Sequence, residues 1–232
     1  NNSGNKFVIG LIDTVVQKTD SPVDSFLLPS VSIAGDSKPP EDQPTHGTAM
    51  AETILRGIAS VLDKSSTDIK ILPLDAYGQN DATTTFEVAL GINAAIENNA
   101  KIINLSLGGS GDSPFLHDVV KQARNQGIII FAAAGNTPDG APVYPAAYPE
   151  VIAVTSGDRR GNIAQYANNG DFVDLVAPGT SIITFNGQSY LVSGTSASSA
   201  FASGLAAGIA SQNNTTTADL EKILRHTLAI PG

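Results

Sequence analysis

Cysteine and tryptophan are absent from this 232-residue chain, methionine occurs once and histidine three times. The missing cysteines exclude disulfides, thiolate–zinc sites and a cysteine nucleophile together. They do not fix the compartment, because a disulfide-free fold persists in either redox setting. Basic residues are scarce as well: 13 Lys and Arg stand against 22 Asp and Glu, a formal net charge of −9. No Lys/Arg-rich run is available to neutralise phosphates, so nucleic acid is not expected as a partner. Long apolar runs are lacking too. The nearest, Ala197 to Ala210, is broken by Ser198, Ser199 and Ser203, and it falls short of the ~18 apolar residues of a membrane span. No membrane partner is expected. The chain opens Asn1-Asn2-Ser3-Gly4 without an initiator Met and reads as a processed or excised domain, whose missing leader says nothing about secretion.

What is present fits a well-buried α/β protein: 41% hydrophobic and 15% charged residues. The length suits one domain over 1–232. Short apolar runs alternate with helical patterns. Phe7 to Ile12 reads as a strand, Thr45 to Leu62 as a helix, Ile69 to Leu74 as a strand and Thr84 to Asn98 as a helix. Strand Lys101 to Leu105, helix Pro114 to Asn125 and strand Ile128 to Ala133 follow. Near-continuous Ile/Val/Leu runs separated by helices indicate a three-layer fold, a mostly parallel sheet with helices on both faces. Shorter strands are expected at Val151 to Thr155, Phe172 to Val176, Ile182 to Phe185 and Tyr190 to Val192. A small-residue helix, Ser199 to Ala210, and a closing helix, Ala218 to Leu228, end the pattern. Asp36 to Thr45 and the four-proline stretch Thr137 to Pro149 read as surface loops.

In a parallel sheet, chemistry collects at the carboxyl ends of the strands. Four side chains fall there or at a helix start. Asp13 follows the first strand, His46 opens a helix, Asn136 follows the run Ile129 to Gly135, and Ser196 stands at the start of the small-residue helix. Alone, Ser196 could be a helix cap. Near unpaired N–H groups and the positive helix end, it is also suited to becoming a nucleophile beside an oxyanion. Acyl transfer by serine needs a base, a group orienting that base, and donors for the oxyanion. His46, in Thr45-His46-Gly47-Thr48, is the candidate base, because Gly47 lets another chain approach closely. His117 and His226 lie in amphipathic helical patterns and read as surface or boundary residues.

Val8-Ile9-Gly10-Leu11-Ile12-Asp13-Thr14, His46-Gly47-Thr48-Ala49-Met50-Ala51, Ile103-Asn104-Leu105-Ser106-Leu107-Gly108-Gly109, Ala133-Ala134-Gly135-Asn136, Tyr144-Pro145-Ala146 to Val154, Ala177-Pro178-Gly179 and Gly194-Thr195-Ser196-Ala197-Ser198 resemble segments of the subtilisin-like serine proteases, the subtilases. They span nearly the whole chain, and the order Asp, His, Ser is that of subtilisin. The resemblance implies a serine endopeptidase. Ser196 would attack the scissile carbonyl, His46 would serve as general base and then acid, and Asp13 would orient His46. The Asn136 amide and the Ser196 N–H would hold the oxyanion. Ser106, Leu107 and Gly108 would offer an extended edge to the substrate backbone. Ala133, Ala134 and Gly135, with Leu107, would wall the main specificity pocket, and Val143 would stand at its base where the family commonly has glycine. A shallower pocket and small or medium apolar residues before the scissile bond would follow, unless Val143 merely packs beneath the loop.

The chain departs from the family pattern at Ala49, where a second histidine is usual, at Val15, often glycine, and at Ala200, often proline. Alanine is the best helix former, so any loosening behind Ser196 should be small. A loop insertion that builds one calcium site in secreted subtilisins is not found after His46. Asp36 to Asp42 reads as a solvated acidic loop rather than a calcium site. No cofactor is required by this chemistry; structural calcium is not indicated, though such an Asp-bearing loop could still bind it weakly. The resemblance further implies a polypeptide substrate, an amino-terminal propeptide as inhibitor, and secretion. Two other readings share the residues: a transamidase that makes cyclic peptides, and an inactive peptide-binding relative. A nucleotide-binding α/β domain is disfavoured, because Asp13 stands where a Gly-rich turn would be and no Walker lysine pattern occurs.

Overall fold

Strands made of uninterrupted Val, Ile and Leu have no face for water and must be covered on both sides. The computed structural model describes residues 6–62, 68–158, 160–213 and 215–229; the Asn1–Gly4 opening lies outside them. Its main sheet has seven strands: β1 (Phe7–Asp13), β2 (Val31–Ser32), β3 (Ile69–Asp75), β4 (Ala100–Leu105), β5 (Ile129–Ala133), β6 (Ile152–Gly157) and β7 (Leu175–Pro178). All pairings are parallel, in the order β2-β3-β1-β4-β5-β6-β7. Strands β8 (Thr180–Phe185) and β9 (Gln188–Ser193) form a separate antiparallel hairpin. The helices are α1 (His46–Ala59), α2 (Thr85–Glu97), α3 (Pro114–Asn125), α4 (Thr195–Asn213) and α5 (Thr217–Thr227).

The two-residue alternation of each strand sorts its side chains between two cores. Ile9, Leu11, Ile71, Ile102 and Phe131 pack with residues of α1, α4 and α5. Val8, Ile12, Leu72, Ile103 and Ile130 pack with α2 and α3. Each such buried side chain contributes about 1.5–3 kcal/mol relative to exposure, so slipping one strand by a residue would exchange the contents of both cores. Helix α4 runs through the first core. It is buried on its apolar side chains, Ala197, Ala200, Ala202, Ala206 and Ala207, and on Ser198, Ser199 and Ser203 as well, whose hydroxyls are hydrogen-bonded. It lies against α1 with backbones touching: a Cβ at Gly57 would collide with the Phe201 carbonyl, and one at Gly204 with the Ile54 carbonyl.

The expected α/β architecture forms, and the helix ends show why. Thr84 and Glu87 close a capping box on α2. Ser113 caps α3, with Pro114 in its first turn. Ala200 leaves no break: α4 is continuous from Thr195 to Asn213. One strand differs. The run Phe172 to Val176 was expected to be extended, yet β7 begins only at Leu175. Val173 N–H bonds back to the Gly170 carbonyl, and Asp174 accepts the Ala153 N–H. Phe172, partly buried, packs against the second core from a turn, which an apolar run alone does not distinguish from a strand. The short β2 and a 3₁₀ turn at Pro22–Phe26 were not anticipated. Among the described residues no helix is long and apolar enough to cross a membrane.

Candidate active site

Asp13 ends β1 and His46 begins α1, and the strand and helix meet at the carboxyl end of the sheet. The approach is close because residue 47 is glycine: a Cβ there would strike the Thr14 carbonyl oxygen. Thr14 Oγ1 accepts the Gly47 N–H at 2.8 Å, tying the two segments together. The Asp13 side chain is 2% exposed. Its Oδ1 accepts the Thr14 N–H at 2.7 Å and lies 2.7 Å from His46 Nδ1. A carboxylate only accepts, so Nδ1 carries the proton and Nε2 is left as the basic nitrogen. The negative charge of Asp13 raises the His46 pKa above 6.5; burial acts against this, and the hydrogen bond to Asp13 adds to it. The imidazole itself is 43% exposed, which keeps its outer edge open to a reactant.

Ser196 lies in the first turn of α4 and is half-buried. It is not the helix cap. Its Oγ donates to the Ser106 carbonyl at 3.0 Å, and Ser106 Oγ donates in return to the Ser196 carbonyl at 3.0 Å. No hydrogen bond joins Ser196 Oγ to His46 among the described residues. Proton transfer to His46 would require the hydroxyl to turn from the Ser106 carbonyl toward the imidazole; such contacts commonly tighten only when substrate is bound. The Ser196 N–H is one of the first-turn donors that find no intrahelical acceptor.

Asn136 is exposed, three residues past β5. Its Oδ1 accepts the Thr195 N–H at 2.9 Å and the Thr195 hydroxyl at 3.1 Å. With the oxygen end engaged by the residue before Ser196, the amide nitrogen is the end left free to donate. Thr195 Oγ1 in turn accepts the Gly135 N–H at 3.1 Å. Thr195 and Thr14 thus orient two of the four side chains, and sequence reasoning named neither as functional. Both sit beside a candidate residue inside a quoted segment, which is the signal that could have found them.

The substrate-binding candidates fall on two neighbouring runs. Ser106, Leu107 and Gly108 follow β4, and the backbone groups of Leu107 and Gly108 make no hydrogen bond with described residues. Gly109 pairs with Tyr144 in both directions, at 2.9 and 2.8 Å. Ala133 and Ala134 are buried. Val143 stands between the two runs: a Cβ on Gly108 would come within 2.6 Å of its Cγ1, and one on Gly135 within 3.1 Å of its Cγ2. Leu107 also lines a cavity of about 290 Å³ with Tyr77, Val88, Leu116 and Tyr144, which was not anticipated. Burial and the Asp13 charge push the Tyr77 phenol up to about 12, so it stays protonated there.

The other histidines lie apart from these groups. His117 stacks on Tyr148, with ring centroids 4.1 Å apart, and its Nε2 lies 2.8 Å from Glu150. His226 is exposed on α5. In the Asp36–Asp42 loop, Gln79, Gln17, Asn186 and Tyr190 donate to the carbonyls of Asp36, Pro40, Glu41 and Asp42. Among the described residues no group of three or more His, Asp or Glu side chains is placed to hold a metal.

Comparison with known proteins shows the family. A sequence model described as Subtilase family matches residues 4–230. The chain is 36% identical over 213 residues to the thermophilic serine proteinase of Bacillus sp. strain AK1, covering 88% of this chain and 52% of that protein. It is 33% identical over 218 residues to thermitase of Thermoactinomyces vulgaris, covering 90% of this chain and 76% of that protein. The chain thus spans about half the length of the first of these relatives. Among solved structures, a cold adapted subtilisin-like serine proteinase superposes with a TM-score of 0.80 at 27% identity, covering 97% of this chain and 85% of that one. The sequence match over nearly the whole chain and the shared fold lead to one conclusion: this chain belongs to the subtilase family of serine proteases.

Proposed function

We propose that this subtilase is an active serine endopeptidase that cleaves polypeptides through an acyl-enzyme on Ser196. The observation that carries the reading is the 2.7 Å contact of His46 Nδ1 with buried Asp13, together with an Asn136 amide whose oxygen is already engaged by Thr195. His46 Nε2 takes the Ser196 hydroxyl proton as Oγ bonds to the substrate carbonyl carbon. The negative oxygen is received by Asn136 Nδ2 and the Ser196 N–H. His46 then gives its proton to the leaving amine as the C–N bond breaks. Water repeats the sequence on the ester, losing a proton to His46 and releasing the acid and free Ser196. Asp13 keeps the tautomer and stabilises the imidazolium.

The Ser106 carbonyl receives the Ser196 hydroxyl in the resting protein and lies on the open edge where a substrate strand would pair. Substrate N–H groups competing for that edge would free the hydroxyl to turn toward His46. Val143, wedged between Gly108 and Gly135, supports a shallow pocket and hence small or medium apolar residues before the scissile bond. A peptide library digested in ¹⁸O-water tests both parts, with Ser196→Ala as the control. The reading expects linear products carrying one ¹⁸O at the new carboxylate, cut after residues such as Ala, Val or Leu. Cyclic or amine-joined products would instead indicate transamidation. Dominant cleavage after Phe, Tyr or basic residues would overturn the preference.

A further inference from the structure

Asn104 is a fully buried carboxamide in β4, and the reaction described above gives it no part. A buried amide is costly unless both its ends are bonded, and here both ends bond in a defined direction. Nδ2 donates to Ser106 Oγ at 2.8 Å. Oδ1 accepts the hydroxyls of Ser199 at 2.9 Å and Ser203 at 3.1 Å. Ser106 Oγ has one proton. With Asn104 as its donor, that proton goes onward to the Ser196 carbonyl at 3.0 Å. Residues 196, 199 and 203 lie three and four apart, on one face of α4. A single side chain of β4 therefore grips this face directly at two turns, and through Ser106 at the turn that bears Ser196. The same Ser106 offers its carbonyl to the Ser196 hydroxyl.

We propose that Asn104 is a positioning residue for the nucleophile: by ordering the Asn104–Ser106–Ser196 chain it sets the rotation of α4 against the substrate edge. The proposal rests on the serine-protease reading of this site. Asn104→Asp tests it with little change in shape. The new carboxylate cannot donate, so the Ser106 hydroxyl must turn to it and release the Ser196 carbonyl. Ser106→Ala removes the far end of the same chain and serves as the second variant if Asn104→Asp does not fold. Ser156→Ala is the comparison, since it removes a different buried hydroxyl bond to α4, the one with Ser198.

The measurements are kcat and KM on a peptide p-nitroanilide, per active site titrated with a fluorophosphonate, together with the melting temperature. A misplaced reacting group costs about 10²-fold when it moves by an ångström, so kcat in Asn104→Asp and Ser106→Ala is expected to fall by about 10–100-fold with KM within about threefold. Ser156→Ala should lose melting temperature and keep kcat. If the Asn104 and Ser106 variants also lose only melting temperature, Asn104 is a structural clamp and the proposal is overturned. If the wild type does not titrate, the protease reading fails separately, and amide hydrogen exchange over 196–200 decides the positioning role. Faster exchange in Asn104→Asp would support it, and unchanged exchange would overturn it.

Discussion

The two helices that bring His46 and Ser196 to the site begin in different ways. Helix α1 is capped by the residue just before it: Thr45 Oγ1 accepts the Thr48 N–H at 3.1 Å. Helix α4 is tied from far along the chain: the Thr195 N–H donates to Asn136 Oδ1, 59 residues away in sequence. The proposed base thus stands on a helix whose start is encoded locally. The proposed nucleophile stands on one whose start is tied only once the sheet has formed, and the side chain that ties it is also the proposed oxyanion donor. Asn136 would then have two tasks, one at each end of its amide. A substitution can remove either task without the other, and the contrast with Thr45 measures what remote capping is worth.

The largest effect is expected on the base side. Asp13→Asn should lower kcat by about 10⁴-fold, as loss of the orienting carboxylate gives the wrong tautomer. The same change removes the charge that raises the His46 pKa, so the midpoint of the rate–pH profile should move down. With His46 as the proposed base, wild-type activity would need it neutral, so the rate should climb with pH through a midpoint above 6.5. Stability runs the other way. The raised folded-state pKa means the His46–Asp13 pair contributes fully below pH 6.5 and loses that contribution as pH rises through the raised value. Melting followed from pH 5 to 9 checks this, roughly across the range where histidine titrates.

On the nucleophile side, Asn136→Ala should cost about 10²–10³ in kcat through the lost donor, and about 1 kcal/mol of stability through the lost cap. Asn136→Asp separates the two. It keeps an acceptor for Thr195 at a helix start that favours negative charge, so stability should hold while kcat falls as in the alanine variant. Equal destabilisation by both variants would show that Asn136 is not a cap. Val143→Gly should shift the cleavage ratio toward large residues by about 10–200-fold, the scale of pocket-filling effects, without altering fluorophosphonate labelling. The smallest change in rate is expected for Thr45→Ala. It should cost about 1 kcal/mol in denaturant unfolding and leave kcat within about threefold, since His46 is also fixed by Asp13 and by the Thr14–Gly47 bond.

The same contrast explains what the sequence made legible. The strands of β1, β3, β4 and β5 could be read because their apolar runs must be buried on both faces, and α2 and α3 because their residues follow a helical pattern. Asp13, His46, Asn136 and Ser196 could be named because each follows a strand or opens a helix in a segment with a family likeness. The partners of these residues were not legible. That Thr195 bonds Asn136, 59 residues away, and that Asn104 bonds Ser199 and Ser203 are contacts over long sequence separation; the neighbourhood of Ser196 could mark Thr195, but no local pattern names its partner. Phe172 shows the same limit: it belongs to an apolar run, but the Gly170–Val173 turn and the Asp174 bond to Ala153 decide its conformation.

The central claim is that Ser196 is a nucleophile made reactive by this end of the sheet. Its most direct test is labelling of the folded protein by a fluorophosphonate, with the adduct located by mass spectrometry in wild type and Ser196→Ala. The account predicts one adduct, on Ser196, formed faster as pH rises through the His46 midpoint, and none in the alanine variant. A folded wild type that stays unlabelled, or an adduct that persists in Ser196→Ala, would contradict it.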